Sequence, residues 1–148
     1  DLAKNVASGA YYCEQAKAKR DSSWTSGSAN MTLYSNYTPD FKCSIDGNGK
    51  GLVNASVGLL SYDEVVYAGG YPYSSNNYYY LYNSAIDWWT MSLAGFSASD
   101  STIWIVNTAG IIGYNNVNYT LRLRPVIILT ADTLTTGSGT SSDPFVVS

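Results

Sequence analysis

Histidine is wholly absent from the 148 residues. Serine or cysteine hydrolysis with an imidazole base is thereby excluded, and so is His-ligated zinc. No glycine pattern of the kind that cradles phosphate occurs. Charge is scarce as well: charged residues make up 13% of the chain, with a net charge of −3. Of the 8 basic residues only Lys17, Lys19 and Arg20 form a short run, so the electrostatic footprint of a nucleic-acid binder is missing and nucleic acid is discarded as a partner. No apolar run is long enough to cross a bilayer, so no membrane-spanning segment is expected. Asp1-Leu2-Ala3-Lys4 resembles neither a signal peptide nor a translation start, and the chain reads as processed or as a fragment. Glu64 is the last glutamate, Lys50 the last lysine and Gln15 the only glutamine. Without those helix formers the C-terminal part is expected to be nearly all β.

Cysteine is limited to Cys13 and Cys43. A disulfide between them is favoured over a pair of buried thiols, because the chain is rich in Tyr, Asn, Ser and Thr in the manner of secreted proteins. Such a bridge would close a loop of about thirty residues and contribute roughly 3–4 kcal/mol by chain entropy.

What is present suits one domain over residues 1–148, with 45% apolar residues, enough to build a core. Leu2, Val6, Ala10, Cys13 and Ala16 recur at spacings of three and four, which predicts an amphipathic N-terminal helix over 2–19, capped by Asp1 and ending in cations. A β-rich body over 30–147 follows. Trp24 anchors a Ser/Gly loop, and the alternation at Met31 and Leu33 and again at Phe41, Cys43 and Ile45 predicts two strands about the turn at Pro39. Asp46-Gly47-Asn48-Gly49-Lys50 opens like a calcium loop, but Lys50 occupies a ligand position and Val57 stands where the bidentate Glu belongs, so a β-turn is preferred. Val53, Ala55, Val57 and Leu59 then alternate as a strand leading into Ser61.

The most fully specified stretch is Gly58–Gly70. Ser61 can cap the amide of Glu64 while Glu64 reaches back to the amide of Ser61, Leu60 and Val65 form a hydrophobic staple, and Gly69 ends the helix. Next comes a segment crowded with phenols, part of a total of 14 tyrosines. Tyrosine offers large area and a hydrogen-bonding tip at low entropic cost, so Tyr78, Tyr79 and Tyr80 are candidate ligand-binding residues. Of Trp88 and Trp89 one is expected in the core, and Trp89 is a candidate stacking platform, as are Trp104 and Tyr114 with Asn115 and Asn116 beside it. Packing on the sheet is the competing reading for each of these rings, and the preferred one.

Ile103–Val106 reads as a strand and Ala109–Asn116 as a possible hairpin. The alternation of Val117, Tyr119, Leu121 and Leu123 with Asn118, Thr120, Arg122 and Arg124 predicts a strand, interrupted by Pro125, and Val126–Leu129 reads as a buried run. A long turn over 136–144 separates it from a last short strand. Asp63, Glu64, Asp87 and Asp100 could converge as paired carboxylates, but nothing in their spacing demands it. Sequons begin at Asn30, Asn36, Asn54 and Asn118, as chance provides in a chain this rich in Ser and Thr. The residues therefore point to no enzyme, no metal and no cofactor.

Several motifs stand in a fixed order: Val57-Gly58-Leu59-Leu60-Ser61-Tyr62-Asp63-Glu64-Val65, Tyr67-Ala68-Gly69-Gly70, Trp89-Thr90-Met91-Ser92, Arg124-Pro125-Val126-Ile127 and Gly137–Phe145. Together they resemble the C-terminal module of pilin-like surface proteins from Gram-positive, Firmicutes-type bacteria, with Tyr12-Cys13 to Arg20-Asp21 similar to that family's cysteine-containing helix end. The resemblance implies an α+β, C-type-lectin-like fold, in which the N-terminal helix and one short capped helix pack on a twisted, mostly antiparallel sheet. It implies an extracellular, non-enzymatic role in adhesion or in building a pilus-like filament, with copies of the chain itself, or a host glycan or protein, as partners. Leu93 departs from the family's usual proline after Met91-Ser92.

Overall fold

A computed structural model of the chain describes residues 2–14, 18–20, 27–29, 39, 41, 51–72, 74–96, 99–133, 135–140 and 142–147. After a 3-10 turn at Leu2–Asn5 the strands are β1 (Ala10–Glu14), β2 (Ala18–Arg20), β3 (Gly27–Ala29), β4 (Gly51–Ala55) and β5 (Gly58–Leu59). Helix α1 (Tyr62–Tyr67) precedes β6 (Tyr71–Pro72), β7 (Trp88–Phe96), β8 (Ser101–Val106), β9 (Ile111–Asn116), β10 (Arg122–Leu123), β11 (Pro125–Val126), β12 (Thr135–Thr136) and β13 (Val146–Val147).

The main sheet has seven strands in the order β2-β3-β7-β8-β9-β6, with β10 parallel to the start of β7. Three two-stranded ladders, β1-β4, β5-β11 and β12-β13, and isolated bridges of Val6 with Leu129 and of Thr140 with Asp143 complete the described pairing. The central strand β7 reads Trp88-Trp89-Thr90-Met91-Ser92-Leu93-Ala94, and Trp88, Thr90, Ser92 and Ala94 are all buried. This is the period of two that a strand imposes. Across β8 and β9 the same face continues in Trp104, Val106 and Ile112. Tyr62, Val65 and Val66 of α1 close over it, with Tyr79 and Leu81 from the loop that follows.

Helix α1 is short but closed at both ends. The Ser61 Oγ accepts from the Glu64 amide at 3.3 Å, and the Glu64 carboxylate accepts from the Ser61 amide at 2.7 Å. At the other end Gly69, with φ of 105°, donates to the Val66 carbonyl at 3.0 Å while Gly70 donates to the Val65 carbonyl at 2.9 Å. That pair of bonds is a Schellman closure, and it needs the residue without a Cβ. The helix is fastened to β7 through Leu60, whose carbonyl accepts from the Met91 amide at 2.9 Å.

The chain is nearly all β, which overturns the expected α+β, C-type-lectin-like arrangement with an N-terminal helix over 2–19. Residues 10–14 pair antiparallel with 51–55 instead, Tyr12 opposite Val53 and Cys13 opposite Leu52. Ala10 and Tyr12 are buried while Tyr11 is exposed, the period of two of a strand and not the three-and-four spacing of a helix. Ser8 and Gly9 sit in the turn before β1, and Gly is a poor residue on which to continue a helix. Lys19 and Arg20 lie in β2, with no helix dipole to complement.

Two further expectations fail for a related reason. The regular alternation over 117–124 forms a strand only at Arg122–Leu123; Val117–Asn118 is a turn, with the Tyr119 amide donating to the Asn116 carbonyl at 3.1 Å. Val117, Tyr119 and Leu123 are exposed, so no buried face enforces the pattern. Likewise Ile127 and Ile128 are exposed where a buried run was expected. The expected strand over 53–59 is divided by a bend at Ser56–Val57 into β4 and β5. Ile111–Asn116 is one strand rather than a hairpin in itself, the hairpin turn lying before it at Gly110. Trp24, the strands expected about Met31 and Cys43, and the turn over 46–50 lie outside the described residues.

Candidate functional site

The loop over 74–82 crosses the end of the core and is tied down from several directions. The Asn76 Nδ2 amide donates to the Gly69 carbonyl, and its Oδ1 accepts from the Tyr78 amide at 3.1 Å, an Asx-turn. The Ser75 hydroxyl donates to the Ala109 carbonyl at 2.9 Å. Gly110, with φ of 73°, lies directly against the Asn76 carbonyl, where a Cβ would have no room. The Tyr82 amide donates to the Tyr79 carbonyl at 3.0 Å, and the Arg124 guanidinium donates to the Leu81 carbonyl.

Within this loop consecutive residues alternate between core and solvent. Tyr79 and Leu81 point inward at 8% and 9% exposure, whereas Tyr78 and Tyr80 stand out at 94% and 89%. Burial pushes the Tyr79 phenol up to about 12, an effect the nearby Arg124 charge partly offsets. The two outward rings therefore project from a segment whose backbone is already fixed. A phenol presents an apolar face and a hydrogen-bonding tip, so the pair can stack on a sugar or aromatic surface and hydrogen-bond at its rim.

The other sequence candidates do not join them. Trp104 is 1% exposed, packed on the Tyr62 ring at 4.7 Å between centroids and edge-on to Tyr114 at 5.9 Å. Trp104 and Tyr79 are thus core residues, out of reach of a stacking ligand. Trp88 is the tryptophan of the core, and Trp89 is only partly buried on the opposite face of the sheet. Tyr114 is half exposed on the Trp104 side, so the register sets Trp89 and Tyr114 on opposite faces. Asn115 and Asn116 are partly buried, and the Asn115 Oδ1 accepts from the Asn116 amide at 3.0 Å. Ser61 and Glu64 are occupied in the helix cap. Cys13 lies in β1, while Cys43 lies outside the described residues.

The carboxylates do not gather. Asp63 is buried in α1, Asp100 is exposed before β8, and Asp87 precedes β7 with its Oδ1 accepting from the Thr108 amide at 2.8 Å. Among the described residues no group of three or more Cys, Asp or Glu could hold a metal ion, and no helix is long and apolar enough to cross a membrane. One feature escaped the sequence reading, a cleft that sets Asp87 and Thr108 beside Arg122. Its only trace in the sequence was the polar side of the alternation over 117–124. No protein-family model, no curated protein and no solved structure matches the chain.

Proposed function

We propose that this chain is a non-enzymatic bacterial cell-surface protein, a structural or adhesive subunit of an extracellular, pilus-like appendage whose partners are copies of itself. The observation that carries the reading is the pair Tyr78 and Tyr80, two nearly fully exposed rings on a loop that is otherwise pinned to the core. Burying each ring in a contact would gain roughly 1.5–3 kcal/mol before association costs. Because the loop is already ordered, little of that gain is spent on fixing it. The resemblance of the ordered motifs to those of pilin-like surface proteins supports the extracellular setting, and the ladder edges that have no strand neighbour among the described residues offer further places for copies to meet. Electron microscopy and light scattering of the native chain test it. Filaments or concentration-dependent assemblies are expected, weakened in Tyr78→Ser/Tyr80→Ser; a strictly monomeric protein at high concentration would overturn the reading.

A second reading is a ligand-binding module that recognises a host glycan or protein. The same free phenols favour it, since neither ring is engaged by the rest of the described chain. A glycan and host-protein panel tests it, and unchanged binding in the double tyrosine variant would remove the tyrosines from that role.

A further inference from the structure

Beside the β8–β9 turn lies an open cleft of about 440 Å³, lined by Ile86, Asp87, Thr108, Thr120, Leu121 and Arg122. Its frame is rigid. The Arg122 amide donates to the Asp87 carbonyl at 3.1 Å, Arg122 pairs in register with Trp88, and the Thr108 amide holds Asp87 Oδ1 at 2.8 Å. That bond orients the carboxylate and leaves Oδ2 as an acceptor. The Arg122 guanidinium is exposed and makes no hydrogen bond or ion pair among the described residues. Its neighbour Arg124 is spent on the Leu81 carbonyl and the Trp88 ring.

The cleft thus offers a planar cation, a fixed carboxylate, two threonine hydroxyls and two aliphatic side chains. A free guanidinium selects a planar anion that it can grip with paired N–H bonds. Asp87 argues against a ligand that is anionic all round, because a second negative group beside it is repelled and supplies no proton to its oxygen. The ligand that satisfies both has one carboxylate and several hydroxyls. Thr108 and Thr120 can each donate to or accept from such hydroxyls, and Ile86 with Leu121 suits the C–H face of a pyranose ring. A zwitterionic amino acid would match Arg122 and Asp87 but leave the threonines and the aliphatic wall without a role. The space is of the order that small-ligand sites occupy.

We infer that this cleft binds a carboxylated sugar, a hexuronate residue of a glycan, with Arg122 on the carboxylate and Asp87 on ring hydroxyls. The inference deepens the ligand-binding reading and rests on it, but through residues other than the tyrosines. The probe is free glucuronate, with glucose and glutamate as comparisons, followed by saturation-transfer NMR on the whole chain. Expected is millimolar binding of glucuronate, about tenfold tighter than glucose, as loss of a charge-assisted pair predicts. Arg122→Gln should erase that preference without altering the thermal melt, since the side chain is exposed, and Tyr78→Ser/Tyr80→Ser should leave it intact. No transfer to glucuronate, an unchanged preference in Arg122→Gln, or glutamate competing as well as glucuronate would each overturn it. Panel binding left unchanged by Tyr78→Ser/Tyr80→Ser, with glucuronate binding retained, would count against the tyrosines alone, so the two outcomes are separable.

Discussion

The amide of Tyr62 donates to the Ser92 hydroxyl oxygen at 2.9 Å, and Ser92 is completely buried. Tyr62 is the first residue of α1, so its N–H has no partner within the helix, and a serine on the core face of β7 supplies one. The neighbouring Thr90 is treated alike: its hydroxyl donates to the Trp104 carbonyl at 2.9 Å and accepts from the Ser92 amide at 3.2 Å. Two hydroxyls on an otherwise apolar face are tolerated because each is satisfied. Ser92→Ala should therefore leave a buried N–H unmet and cost about 1–3 kcal/mol in urea unfolding, more than the loss of one oxygen from a solvated site.

The cap of α1 was legible in the sequence because every part of it is local: Ser61, Glu64 and Gly69 act on backbone groups a turn away. The N-terminal strand was not, because residues 10–14 are decided by a partner forty residues on, and a short apolar set at 2, 6, 10 and 13 fits a helix equally well in isolation. The tyrosine loop shows the same limit at the site. Tyr78, Tyr79 and Tyr80 are identical in type, and only the packing of Tyr79 behind Gly69 and Gly110 decides which of them face outward.

That local specification can be measured. Ser61→Ala should cost about 1 kcal/mol by removing the acceptor for the Glu64 amide. Gly69→Ala should cost more, roughly 1–3 kcal/mol, since a side chain there is strained at φ of 105° and its Cβ would lie 2.9 Å from the Tyr79 Cβ. Denaturant midpoints of the two variants, compared with wild type, check the order.

Tyr79 gives the fold an alkaline limit. The phenol's ordinary value is 10.0 and burial in the folded chain raises it to about 12. Between those values the unfolded chain has released a proton that the folded chain retains, so stability declines as pH rises through the window and is fully present below it. Tyr79→Phe removes the ionisation and should show a shallower decline from pH 10 to 12, at the cost of the hydroxyl's long contact with the Gly110 carbonyl. Parallel slopes for the two proteins would show that the phenol is not the group responsible.

Arg124 joins the tyrosine-bearing loop to the main sheet. Its guanidinium lies 4.9 Å from the Trp88 ring centroid and donates to the Leu81 carbonyl, holding the end of the loop against the start of β7. Arg124→Met keeps the apolar stem but loses both the cation over the ring and the donor, and should lower stability by about 1–3 kcal/mol. Hydrogen exchange provides the sharper readout. Amides of residues 78–82 should lose protection before those of β8, as expected if Arg124 fastens the loop rather than the sheet.

Tyr12 and Gly58 connect β1 to the ladder that leads into α1. The Tyr12 ring lies flat against Gly58, with no room for a Cβ, and its hydroxyl donates to the Val126 carbonyl at 3.1 Å. Val126 is in turn the ladder partner of Gly58, so one side chain touches both members of the β5–β11 pair. Tyr12→Phe should cost about 0.5–1.5 kcal/mol, the net worth of one hydrogen bond. Gly58→Ala should cost about 1–3 kcal/mol as an overpacked contact, because it displaces the ring. Once the ring is displaced its hydroxyl no longer reaches Val126, so adding Tyr12→Phe to Gly58→Ala should cost nothing more. A double-mutant cycle with additive losses would mean that the hydroxyl keeps its bond while the ring moves, and that the two contacts are independent.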